Sequence, residues 1–91
     1  METVRLHISG KVQGVWFRAS AKDKALALSL TGKVWNERNG DVGILAQGSQ
    51  NQIDEFVEWC KVGPPLAKVA EVKVENVETK EVFSYFEITR E

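Results

Sequence analysis

The chain has 91 residues, twelve of them Lys or Arg and thirteen Asp or Glu, for a net charge of −1. Its 43% hydrophobic and 27% charged residues exclude a disordered chain, and its charge balance excludes a strongly basic nucleic-acid binder or an acidic tail. The single Cys allows no internal disulfide or Cys-built zinc site, the single His leaves little for a His-based metal site, and no apolar run approaches the roughly 18–20 residues that span a bilayer.

From Met1 onward the basic-then-apolar-then-small pattern of a secretory leader is missing, so the expected location is the cytoplasm. One domain over residues 1–91 is expected. Thr3 to Ser9 alternates, with Val4, Leu6 and Ile8 on one face and Arg5, His7 and Ser9 on the other, which predicts a half-buried strand closed by Gly10. Lys11 to Trp16 fits neither period. Phe17 to Leu30 reads as a helix with Phe17, Ala21, Ala25 and Leu28 on one stripe, and Gly32 stands where its stop is expected.

Lys33–Asn36 and Asp41–Gln47 are short β-favouring runs joined through Asn39-Gly40, a hairpin signal because both positions tolerate positive φ. Ser49 and Gln52 form a capping box before Ile53, Phe56, Val57 and Cys60, which predicts a second amphipathic helix ended by Gly63, Pro64 and Pro65. Ala70, Val72 and Val74 alternate with Glu71 and Lys73 in a fourth strand. Val82–Thr89 predicts a fifth, with Val82, Phe86 and Ile88 on one face and Phe83 and Tyr85 on the other. Two helices cannot cover both faces of a small sheet. The expected architecture is therefore α+β, a ferredoxin-like βαββαβ sandwich with two helices on one face of an antiparallel sheet and a short extra C-terminal strand.

One segment exceeds what a connection needs. Gly10-Lys11-Val12-Gln13-Gly14-Val15-Trp16 leads into Phe17-Arg18 with two glycines and no acidic residue. A loop before a helix offers free N–H groups, the helix dipole adds partial positive charge, and Arg18 falls in the first turn, where a cation is otherwise unfavourable. All three favour an anion, phosphate first among them. A Walker loop fails, because Val15 stands where its second Gly is needed; GxGxxG is absent; and a phosphocysteine loop would need Cys where Val12 stands. Cys60 reads as buried apolar filling. The segment is a phosphate cradle without a covalent nucleophile, which leaves the chemistry to water.

These letters also resemble a family signature. Gly10-Lys11-Val12-Gln13-Gly14-Val15-Trp16-Phe17-Arg18 is similar to G-x-V-Q-G-V-x-F-R of the acylphosphatases. Gly32-Lys33-Val34-Trp35-Asn36, Asn39-Gly40, Val42, Gly48, Gly63-Pro64, Ala67, Val69 and Phe86-Glu87-Ile88 extend the resemblance over essentially the whole chain. It departs at Lys33-Val34-Trp35, where family members more often have Trp-Val-Arg. The resemblance implies hydrolysis of acyl phosphates to a carboxylate and phosphate, with Arg18 and the loop Lys11, Val12, Gln13, Gly14, Val15, Trp16 and Phe17 binding the phosphoryl group and Asn36 orienting the water. It implies a small-molecule substrate, no metal or other cofactor, no nucleic-acid or membrane partner, and a monomer.

The chemistry agrees with this reading. The leaving carboxylate has a conjugate acid of pKa near 4 and needs no general acid. An amide such as Asn36 cannot act as a base, yet it can hold a water by hydrogen bonding. Other readings of single residues stand beside it. Asn36 by spacing alone is a turn residue; Trp16 either packs on the core or lines the acyl entrance; Lys11 steers anions or solvates the loop; His7 is a sheet-face residue; Trp35 and Trp59 pack. The rival class is a non-catalytic anion-binding or regulatory module of the same fold. An RNA-recognition domain or a metallochaperone would need an aromatic strand motif or a CxxC that this chain lacks.

Overall fold

The alternation of Val4, Leu6 and Ile8 and the capping box of Ser49 organise the two halves of the chain, and the computed structural model, which describes residues 1–90, shows what they build. Residue 91, part of the expected domain, lies outside the described residues. The elements run β1 (Glu2–Lys11), α1 (Phe17–Ala27), β2 (Thr31–Asn36), β3 (Val42–Gly48), α2 (Gln50–Cys60), β4 (Lys68–Asn76) and β5 (Phe86–Ile88). They form one sheet in the order β4-β1-β3-β2-β5. Val4, Leu6 and Ile8 of β1, Val34 of β2 and Val42, Ile44 and Ala46 of β3 meet Phe17, Ala21 and Ala25 of α1 and Ile53, Phe56 and Cys60 of α2 in one core. Each such fully buried large side chain contributes about 1.5–3 kcal/mol. Both helices are on that face, as the ferredoxin-like reading requires. Among the described residues no helix is long and apolar enough to cross a membrane.

The sheet is mixed, which corrects the antiparallel expectation: β5 pairs parallel with β2, Gly32 facing Phe86 and Val34 facing Ile88. The fifth strand is also shorter than Val82–Thr89. The buried Gln47 side chain explains this, because its amide nitrogen donates to the Glu81 carbonyl and its oxygen accepts from Phe83 N–H. Those backbone groups are thereby satisfied outside a ladder, and Val82 is left exposed.

Helix α1 stops earlier than expected. Ser29, at φ 59, takes the left-handed position, while Leu30 N–H reaches Ala25 C=O and Ser29 N–H reaches Leu26 C=O. This is a Schellman ending with Ser in place of Gly. Gly32 instead lies inside β2 at φ 142, where a Cβ would overlap the Leu45 carbonyl of β3. Strand β1 likewise continues past Gly10. The β1–β4 register slips there, Ser9 facing Glu71 and Gly10 facing Val69, so Ala70 is the extra residue of a bulge. Val69 and Val72 consequently pack on the core while Ala70 is exposed, which breaks the expected Ala70–Val72–Val74 alternation. At the hairpin, Gly40 takes φ 96 but Asn39 does not take positive φ; its Oδ1 accepts from Asp41 N–H instead.

On the sheet face away from the helices, Trp35 is buried over Gly43, with the Arg5 and Lys33 cations 5.5 and 5.6 Å from its ring. Its indole N–H donates to Glu37 Oε1 at 3.0 Å, which pins the chain on both sides of Asn36.

Candidate active site

The segment from Gln13 to Trp16 is irregular, and its conformation follows from two residues of positive φ: Gly14 at 74 and Trp16 at 68. Trp16 is the N-cap of α1, left-handed and without a side-chain cap, a conformation that costs a bulky residue about 1–2 kcal/mol. Left-handed Trp16 followed by right-handed Phe17 alternates in hand, the arrangement that turns successive N–H groups onto one concave point. The first helical hydrogen bond runs from Ser20 N–H to Trp16 C=O at 3.0 Å, so the N–H groups of Phe17, Arg18 and Ala19 have no partner within the helix. The first turn holds no acidic residue, and Arg18 is its half-buried cation.

The loop is anchored by side chains that point inward. Val12, Val15 and Phe17 are buried in the core, Phe17 with its ring 5.6 Å from that of Trp59. Only their backbones are therefore free to meet a ligand. Gln13, expected in the phosphate loop, turns its side chain elsewhere. Its amide nitrogen donates to the carbonyls of Glu37 at 2.7 Å and Asp41 at 2.8 Å. Those two carbonyls belong to the hairpin that follows Asn36, so Gln13 ties the loop to the strand that carries the Asn. Lys11 is exposed at the end of β1.

A cleft of about 370 Å³ opens between these parts, lined by Val12, Gly14, Trp16, Phe17, Arg18, Ala19, Asn36 and Ile88. Arg18 from the start of α1 and Asn36 from the end of β2 thus share one cavity. Lys11, Gln13 and Val15 are not among its lining residues. Asn36 Oδ1 is buried, and no protein donor reaches it among the described residues. A buried acceptor in that state costs about 1–3 kcal/mol unless something donates to it. Arg18 and Asn36 also line a second cavity, together with Thr89 and Arg90. Thr89 and Arg90 carried no functional signal in the sequence, and Ile88 only its place in the family resemblance. Only the parallel docking of β5 on β2 brings them beside Asn36.

The lining holds no His, Cys, Asp or Glu. Cys60 is fully buried in the core, where desolvation pushes its thiol far above the ordinary range. His7 pairs with Glu75 at 2.9 Å on the other face of the sheet.

With this geometry in hand, comparison with known proteins is decisive. The acylphosphatase family model matches residues 4–88. This chain belongs to the acylphosphatase family. The acylphosphatase of Methylococcus capsulatus is 41% identical over 91 residues, covering 100% of this chain and 99% of that protein. The acylphosphatase of Pelotomaculum thermopropionicum is 42% identical over 90 residues, covering 97% and 98%. The crystal structure of the Bacillus subtilis acylphosphatase superposes with a TM-score of 0.94 at 37% identity, covering 98% of this chain and 99% of that one. The acylphosphatase relationship therefore spans the whole described fold, the cleft included.

Proposed function

We propose that the chain hydrolyses the carboxyl–phosphate bond of acyl phosphates in the cleft shared by Arg18 and Asn36. The carrying observation is that a helix-start guanidinium and a buried, unpartnered amide oxygen line one cavity. Arg18 and the N–H groups of the loop and first helical turn bind the phosphoryl oxygens. A guanidinium offers a bidentate fork, and fixed amides add donors where charge spreads over the equatorial oxygens. Asn36 Oδ1 accepts a hydrogen from the attacking water and orients its oxygen toward phosphorus. The bond from the acyl oxygen to phosphorus breaks, and its electron pair leaves on the carboxylate. The acyl phosphate dianion and water thus become a carboxylate and dihydrogen phosphate, with both water protons on the phosphate.

The same toolkit is inadequate for a monoester, whose alkoxide leaving group would need a general acid that the lining does not supply. The reading treats residues 1–91 as one domain, a monomer in the cytoplasm that acts on a diffusing small molecule without nucleic acid, membrane, metal or other cofactor. Release of phosphate from benzoyl or acetyl phosphate, against a monoester control, tests it. Phosphate binding without turnover would overturn the enzymatic reading and leave the anion-binding module.

A further inference from the structure

We propose that Trp16 selects the acyl group: together with Ile88 it gives the cleft an apolar wall that favours acyl phosphates with an aromatic or similarly broad apolar acyl part. The proposal rests on the reading of the cleft as an acyl phosphate site and adds the class of acyl group to it.

Trp16 sits between two core residues, Val15 and Phe17, yet 75% of its own surface is exposed. The indole therefore contributes little to the core. Its backbone, at φ 68 and ψ 20, is in the left-handed region, and its side chain makes no capping hydrogen bond. At this position a Gly would remove the strain, and Ser or Asp at an ordinary N-cap conformation would satisfy a helix N–H. Stability thus argues twice against Trp here, and strain of this kind at a cleft is a reason to look for a task.

The cleft supplies one. Its polar side chains are Arg18 and Asn36, and the other large side chains on its wall are Trp16, Phe17, Val12 and Ile88. Val12 and Phe17 are buried beneath, which leaves Trp16 and the 41% exposed Ile88 as accessible apolar surface. Ile88 faces Val34 in the parallel β2–β5 register, so it is on the same side of the sheet as Asn36, two residues along. With the phosphoryl group held by Arg18 and the helix amides, the acyl group is left with the apolar wall. A planar ring gains most there, because an indole offers a face for stacking as well as area. Such contact acts on substrate and transition state alike, so it is read in KM more than in kcat.

The experiment compares benzoyl and acetyl phosphate in wild type, Trp16→Gly and Trp16→Phe. In Trp16→Gly, the benzoyl-to-acetyl ratio of kcat/KM is expected to fall about five- to tenfold, mainly through a raised KM for benzoyl phosphate, whereas any loss through the loop backbone falls on both substrates equally and cancels in the ratio. Tm does not fall, because Gly suits the left-handed position, and the inhibition constant for inorganic phosphate reads any loosening of the loop amides separately from the acyl preference. Trp16→Phe restores most of the benzoyl preference. An unchanged benzoyl-to-acetyl ratio in Trp16→Gly overturns the assignment, as does an equal loss on both substrates, which would mean that Trp16 shapes the loop rather than reads the acyl group. Failure of the underlying reading looks different: wild type would then turn over neither substrate.

Discussion

Gln13→Ala separates two jobs that one loop residue could do, binding phosphate and holding Asn36 in place. The side-chain amide donates both of its hydrogens to backbone carbonyls, those of Glu37 and Asp41. Each carbonyl keeps a second donor: Asp41 C=O accepts from Glu37 N–H at 2.8 Å, and Glu37 C=O from Gly40 N–H at 3.3 Å. Neither is orphaned, so the loss is that of two ordinary hydrogen bonds, each worth about 0.5–1.5 kcal/mol. The expected destabilisation is about 2 kcal/mol, which for a domain of this size lowers Tm by roughly 8–16 °C. The hairpin after Asn36 is then free to shift, and a displacement near 1 Å can cost about a hundredfold in turnover. Phosphate affinity should change far less, because Arg18 and the helix amides belong to another element. Gln13→Glu should be worse in both respects, since a carboxylate cannot donate and faces two carbonyl oxygens. Urea unfolding, kcat on benzoyl phosphate and the inhibition constant for phosphate measure the three quantities. Stability within about 0.5 kcal/mol of wild type, together with kcat within twofold, would refute the tie. Weakened phosphate binding with unchanged stability and kcat would show that Gln13 binds ligand instead.

Arg18→Ala should abolish turnover in a folded protein, and Arg18→Lys should rescue little, because a point charge does not replace a planar fork; near-normal kcat/KM in either variant contradicts the role. Phosphate at about one hundred times Kd should stabilise the wild type by roughly 2.7 kcal/mol, and a thermal melt of Arg18→Ala should lose the saturable part of that gain. Asn36→Ala should lose kcat while keeping phosphate affinity, and steady-state kinetics with phosphate as inhibitor would expose the reverse pattern if Asn36 held the phosphoryl group. Cys60, buried and with its thiol pushed up by desolvation, should resist alkylation in native protein near neutral pH and react only on unfolding, which mass spectrometry after a timed quench reads directly.

The local patterns that carry short-range physics were legible from the chain alone. The period-two run of Val4, Leu6 and Ile8 placed a core strand, and Ser49 with Gln52 capped α2 through the two reciprocal bonds that motif demands. The acid-free, glycine-bearing stretch ahead of Arg18 pointed to an anion from the chain alone, because helix dipole and free N–H groups are properties of local sequence. Asn36 was different: by spacing it was a turn residue, and only the family signature gave it a role.

Tertiary structure decided what depends on partners far along the chain. Gly32 looked like a helix stop because Gly often is one; its actual constraint is the Leu45 carbonyl on a neighbouring strand, which no local pattern encodes. The fifth strand shrank because Gln47 occupies the backbone groups of Glu81 and Phe83. The target of Gln13 and the presence of Ile88 beside Asn36 likewise follow from strand pairing across the sheet. Short-range chemistry pointed to an anion at the start of α1; that Asn36 and the apolar Ile88 share a cleft with Arg18 required the sheet to close.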